Sequence, residues 1–235
     1  MIGLCNPHNP YGVSYRKEDL EHIMALCEKY NLYIMNDEIW SDIIFPEAPF
    51  NSIYLLGNER CRRVMSVFGW SKSFGIAGMR IGCVYTTDPA LFEGMVEKSD
   101  VMSTAGGISS LSQIAGTACM HNYDWVDAFL VHLKGNRDYA VDRLKHMPLV
   151  KAYAPRATYL LYVDIRAFGM KSEDFTDYMK QKVKLALVSG GEKFFGQGSE
   201  GYIRICFATS RGILEEGLNR LEQGIRMLME EKGLH

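Results

Sequence analysis

Apolar and polar positions fall into blocks along the chain, and block length and spacing predict which segments extend and which coil. Met1 to Cys5 is a short apolar run that stops at Asn6-Pro7 and reads as a strand feeding the loop from Asn6 to Gly12. From Arg16 to Tyr30, Leu20, Ile23, Met24 and Cys27 recur at helical spacing with charges between them. Leu32 to Met35 predicts a strand ending at Asn36-Asp37-Glu38, and Arg63 to Phe68 and Arg80 to Thr86 predict two more. Helical spacing then covers Pro89 to Ser99, Ile108 to Met120 and the long stretch Trp125 to His146. Past Pro148 the pattern changes. Thr158 to Ile165 is strand-like, Ser172 to Val183 helical with Ser172 as N-cap, Leu185 to Ser189 and Tyr202 to Ala208 strand-like, and Ile213 to Glu231 a closing helix. Strands alternating with helices predict an α/β layer with a mostly parallel sheet over residues 1–148. The later order predicts a small α+β domain over residues 149–235, with no internal repeat.

Bulk properties exclude several classes. With 235 residues the chain is long enough for a real core in one or two domains. Lys and Arg number 26 against 28 Asp and Glu, a net charge of -2 that points to neither a nucleic-acid nor a membrane partner. No apolar stretch is long enough to span a bilayer, and the N-terminus lacks the basic region of a signal peptide. The six cysteines are scattered, with no CxxC pair and no His/Cys cluster at metal spacing. They read as reduced thiols of a cytoplasmic protein with no metal centre.

Three segments carry candidate chemistry, each at or near a strand end, where ligands bind in open α/β sheets. Asp37 ends a nearly uncharged strand, where a carboxylate is costly unless paired; a helix cap or a surface ion pair would also account for it. Ser71-Lys72 lies among Trp, Phe, Ile and small residues in the run from Phe68 to Gly82. Desolvation makes an amine a better nucleophile toward an aldehyde, although a lysine whose stem lies on apolar surface looks the same in sequence. Arg204 interrupts the apolar strand Tyr202-Ile203-Arg204-Ile205-Cys206-Phe207, where its fork of donors suits a carboxylate ligand or an internal ion pair. His8 flanks Asn9 in the loop and is read as a loop residue.

In order and spacing, Asn9-Pro10-x-Gly12, Asp37, Ser71-Lys72, Arg80 and Arg204 resemble the fold-type-I pyridoxal-phosphate (PLP) enzymes of the class I/II aminotransferase superfamily. The resemblance covers essentially the whole chain. It implies a three-layer PLP-dependent transferase large-domain portion followed by the small C-terminal domain. It also implies pyridoxal 5'-phosphate held as a Schiff base by Lys72, the catalytic residue. Asn9 would donate to the cofactor's ring oxygen, Asp37 would pair with the ring nitrogen, Arg80 would bind the phosphate, and Arg204 would bind the substrate α-carboxylate. The implied partners are a small-molecule amino acid or keto acid and a second copy in a homodimer.

Two positions depart from the aspartate-type pattern. Trp40 stands where many relatives have Tyr, and Gly69 where they often have a phosphate-binding Ser, so Ser71 is expected to share that role. Asp37-Glu38-Ile39-Trp40 and the run from Phe195 to Arg204 resemble instead the cystathionine β-lyase branch related to the maltose-regulon modulator, whereas Arg80 favours a transaminase. The family's phosphate-binding glycine loop and ring-stacking aromatic, which precede the Asn-Pro-x-Gly turn, have no counterpart in this sequence. The expected function is therefore a PLP-dependent aminotransferase, with a C–S β-lyase as one alternative and an inactive fragment needing a missing N-terminal part as another.

Overall fold

The computed structural model describes residues 1–103 and 107–234, which form two compact units. The first comprises Met1–Asn9, Val13–Leu130 and Arg156–Thr158. The second comprises Pro10–Gly12, Val131–Pro155 and the chain from Tyr159 on.

In the first unit, β1 (Ile2–Cys5), α1 (Lys17–Lys29), β2 (Ile34–Asp37), β3 (Val64–Phe68) and β4 (Cys83–Tyr85) follow in order. The strands lie side by side as β1-β2-β3-β4, with the first two pairings parallel and the last antiparallel. Cys5, Asp37 and Val67 are in register at the carboxyl ends. The spacing of Leu20, Met24 and Cys27 does what the sequence predicts: all three are buried against Leu4, Ile34, Ile53, Cys61 and Val64. Each large side chain so buried stabilises the fold by about 1.5–3 kcal/mol. The two-residue period of β2 then decides where the chemistry goes. Ile34 and Asn36 point into this core, so Asp37 faces the opposite side of the sheet.

β4 is shorter than the strand expected over Arg80 to Thr86. A 3-10 turn at Ala77–Met79 ends in Arg80, whose φ of 52° is left-handed and incompatible with a strand. Gly82 then passes so close to β3 that a Cβ would lie 2.9 Å from the Phe68 carbonyl oxygen.

After β4 come α2 (Pro89–Lys98), α3 (Ser110–Met120) and α4 (Tyr123–Lys145). Asp88 caps α2 by accepting from Leu91 N at 3.0 Å, with Pro89 at the first turn. Ser109 caps α3 by accepting from Ser112 N at 3.1 Å. The expected boundary near residue 148 falls within the second unit. The units divide inside α4, between Leu130 and Val131, because one uninterrupted helix serves both.

The second unit holds β5 (Leu160–Asp164), α5 (Ser172–Val183), β6 (Val188–Ser189), α6 (Glu192–Phe195), β7 (Tyr202–Cys206) and α7 (Arg211–Lys232). β7 is the middle strand, antiparallel to both β5 and β6. Phe175, Met179 and Val183 of α5 and Leu214, Leu218, Leu221 and Ile225 of α7 are buried. Ser172 does not cap α5. Lys171 occupies that position, and Ser172 Oγ instead accepts from Gly201 N at 2.9 Å and Tyr202 N at 3.1 Å. The Glu200 carboxylate takes the Ser172 N–H. The short helix α6 was not legible as a separate element.

Candidate active site

Lys72 lies in the turn that follows β3, which Phe74 N closes on the Trp70 carbonyl at 3.0 Å. Its half-buried side chain lies against Trp40, with Nζ 5.3 Å from the indole centroid, a favourable cation–π distance. Trp40 is itself buried and comes from the turn after β2. Ser71, Lys72 and Arg80 line one cleft of about 320 Å³ together with Ile39, Ala77 and Ile81. The sequence separates these groups by nine residues, and the 3-10 turn that shortens β4 brings them back together. Arg80 is exposed and, among the described residues, has no acid within ion-pairing distance. The same holds for Lys72.

Asp37 stands at the end of β2, two residues before the cleft-lining Ile39. Its Oδ1 accepts from Ile39 N at 2.9 Å, and among the described residues its Oδ2 has no hydrogen-bond partner. Its Oδ1 thus closes a turn, neither the helix cap nor the surface ion pair that its sequence also allowed. Asn9 is half-buried in the loop after β1, where His8 N donates to Val13 O at 2.8 Å and Gly12 takes φ 62°. Burial pushes the Cys5 thiol up, the Asn9 backbone amide pulls it down, and the Asp37 charge pushes it up again. Asn9 and Asp37 therefore flank the same strand-end cysteine. Burial also holds the His8 imidazole below its usual value.

Behind Asp37, on the core side, sits a buried polar cluster that sequence reasoning missed. Glu38 accepts from Asn36 Nδ2 at 3.0 Å, Ser52 Oγ at 2.8 Å and the Tyr85 hydroxyl at 2.9 Å. Asn36 also donates to Ser66 Oγ at 2.8 Å. Burial, with the Glu38 charge, raises the Tyr85 phenol well above its ordinary value. The available signal was Asn and Glu either side of Asp37, on the inward phase of an otherwise apolar strand.

Arg204 belongs to the second unit. It is on the middle strand, opposite Tyr162 of β5 and Val188 of β6, with its guanidinium carbon 5.5 Å from the Phe195 ring centroid. Tyr162 stacks on Tyr202 at 4.6 Å and meets Phe195 and Tyr11 edge-on. An apolar, aromatic surround of this kind strengthens a guanidinium's pull on a carboxylate.

The family model described as "Aminotransferase class I and II" matches residues 1–221. The chain is 30% identical to an aspartate aminotransferase of Pyrococcus horikoshii, over 96% of this chain and 56% of that protein. It is 29% identical to the cystathionine beta-lyase PatB of Bacillus subtilis, over 94% of this chain and 57% of that protein. Among solved structures it is similar to the pyridoxal 5'-phosphate-containing cystalysin of Treponema denticola. There the TM-score is 0.89 at 26% identity, covering 96% of this chain and 57% of the other. The chain thus spans little more than half the length of the relatives it matches.

Proposed function

The chain belongs to the class I and II aminotransferase family, and from that membership we propose that it acts on an amino acid as a pyridoxal 5'-phosphate-dependent aminotransferase, with Lys72 carrying the cofactor. One observation carries the reading: Lys72, Ser71 and Arg80 share a cleft beside Trp40 and the strand end that bears Asp37. Each group of the cofactor has a chemical match among these residues and Asn9 of the loop after β1. Lys72 would hold its aldehyde, Asp37 its ring nitrogen, Asn9 and Trp40 its ring oxygen, and Arg80 and Ser71 its phosphate.

When bound, the cofactor supplies an electron-poor ring that accepts charge from the carbon beside the amino group. The protein's own part is to hold and orient. Asp37 Oδ2 would keep a proton on the ring nitrogen. Arg80 and Ser71 would hold the phosphate, and Lys72 Nζ would move the proton at the substrate α-carbon. Arg204 takes the substrate carboxylate through its fork of donors. As fold, the first unit is read as part of the large domain of a three-layer PLP-dependent transferase and the second as its small C-terminal domain. The working assembly is read as a homodimer.

Incubation with pyridoxal phosphate, borohydride reduction and peptide mass spectrometry tests the assignment. The adduct is expected on Lys72 and absent from Lys72→Ala; an adduct retained by that variant removes Lys72 from its role. Arg80→Ala is expected to weaken cofactor binding by about tenfold or more, the value of one charge-assisted contact. Arg204→Ala is expected to weaken amino-acid binding far more than cofactor binding.

Two other readings have observations of their own. Trp40 and Gly69, with the similarity to the cystathionine beta-lyase PatB, favour C–S β-elimination. Pyruvate released from cystathionine without a keto-acid acceptor would decide for it. The outward-facing apolar residues of α2 and α3 favour a chain that works only with further polypeptide; an isolated chain that binds no cofactor would support that.

A further inference from the structure

Ser73, next to Lys72, is fully buried and is held from two directions. Its Oγ donates to Asp42 Oδ2 at 2.6 Å, and its carbonyl accepts from the Trp125 indole N–H at 3.3 Å. Phe74 stands edge-on to Tyr123 at 5.8 Å, and the Tyr123 hydroxyl reaches the same Asp42 oxygen at 3.5 Å. Asp42 comes from the turn after β2, in which Ser41 N donates to Glu38 O and Ile43 N to Trp40 O, both at 2.9 Å. One turn therefore sends out two side chains: Trp40 meets Lys72, and Asp42 meets Ser73. The two pairings fix the register between the Asp37 loop and the Lys72 loop.

Asp42 is a costly way to make that connection. Burial pushes its carboxyl up, and only the Ser73 and Tyr123 hydroxyls offset this. A neutral acceptor would join the loops at less cost, and an apolar residue would pack without any. The short bond to Ser73 is the interaction that the site keeps.

We infer that Asp42 is a positioning residue, which through Ser73 and with Trp125 holds the Lys72 turn against Trp40 so that Nζ points into the cleft shared with Ser71 and Arg80. This rests on the reading of Lys72 as cofactor carrier. The clamp works by an accepted hydrogen bond and needs no charge, so an amide oxygen can replace the carboxylate. Truncation of either partner cannot be compensated.

The test compares Asp42→Asn, Asp42→Ala and Ser73→Ala with the wild-type chain in two measurements. One is the pyridoxal phosphate concentration that gives half-maximal borohydride-trapped labelling of Lys72. The other is hydrogen exchange at the Phe74 amide, which closes the Lys72 turn. Asp42→Ala and Ser73→Ala are expected to raise the half-maximal concentration about tenfold, the value of one buried hydrogen bond. Both are expected to speed exchange at Phe74. Asp42→Asn is expected to stay within about twofold of wild type in both measurements. Labelling and exchange unchanged in Ser73→Ala, or Asp42→Asn failing as badly as Asp42→Ala, would overturn the inference. Ser73→Ala removes one oxygen atom and keeps the proposal testable should Asp42→Ala not fold. If the wild-type chain labels elsewhere than Lys72, the functional reading fails. The Phe74 exchange then still reports on the clamp.

Discussion

At the scale of single residues, the polar groups on either side of Asp37 do opposite work. Asp37 accepts from Ile39 N alone among the described residues, whereas Glu38 accepts from three donors in the core. Glu38→Ala would leave Asn36, Ser52 and Tyr85 without that acceptor. It is expected to cost about 2–4 kcal/mol, read from the urea midpoint, because several buried groups lose a charged partner at once. A loss under about 0.5 kcal/mol would show that water replaces it. Asp42 gives a pH-dependent expectation. Its folded carboxyl is raised by burial and titrates above the unfolded one, with the Ser73 and Tyr123 hydroxyls opposing the shift. The cost of ionising it is absent below the unfolded value of about 3.9 and complete above the folded one. Asp42→Asn should therefore gain stability relative to wild type as pH rises through that window. Urea denaturation at pH 4 and pH 7 measures the difference, and a flat difference would contradict the burial argument. Residue type and surroundings marked Asp37, Lys72 and Arg204 as candidates in the sequence, and Arg80 joined them only through the resemblance of the whole motif order. Glu38, Asp42 and Ser73 were not marked, because a buried partner is a fact of the fold rather than of the residue's own neighbours in sequence.

At the scale of elements, periodicity located α1 and α7 because each buries a regular stripe, and short apolar runs located β1, β2 and β3. The pattern failed where backbone conformation overrides it. The residues from Arg80 to Thr86 read as a strand, but the left-handed Arg80 delays β4 to Cys83. Gly82 is the hinge of that delay: a methyl group there would press on the Phe68 carbonyl oxygen at 2.9 Å, which is backbone and cannot swing aside. Gly82→Ala is expected to destabilise by about 1–3 kcal/mol, the usual cost of overpacking, and a thermal melt would show it. The start of α5 is a second case. Ser172 looked like a cap for its own helix but serves as acceptor for the Gly201 and Tyr202 amides, tying α5 to the start of β7. Ser172→Ala is expected to cost about 1–3 kcal/mol for the amides left without an acceptor, with faster hydrogen exchange at Tyr202 than at Phe175. A capping role alone would instead speed exchange in the first turn of α5.

At the scale of the whole molecule, the order of motifs gave the family, and composition gave nothing against it. What composition could not give is which surfaces are left apolar. α3 buries Ser112, Gly116 and Cys119 and exposes Leu111 at 72% and Ile114 at 67%, the reverse of what a solvent-facing helix does. The cause is local: Gly116 packs so near Ile81 and Trp70 that only small side chains fit on that side. α2 buries none of its residues and exposes Phe92 at 51%. Leu111 and Ile114, three residues apart on one face of α3, form an exposed apolar patch of the kind that marks a place where another polypeptide packs. Since the chain spans little more than half of its matched relatives, two kinds of cover are open to it: a second copy, or further polypeptide outside residues 1–235. In isolation only the first is available, so the wild-type chain is expected to self-associate as its concentration rises through the micromolar range. Leu111→Glu with Ile114→Glu places two charges on the outer face of α3 without touching the residues that pack on Ile81. The double variant is expected to sediment as a monomer and to bind less of a hydrophobic dye, with its urea midpoint unchanged. A wild-type chain that sediments as a monomer at all these concentrations would show that α3 is tolerated bare, and would leave the dependence on further polypeptide without its structural support.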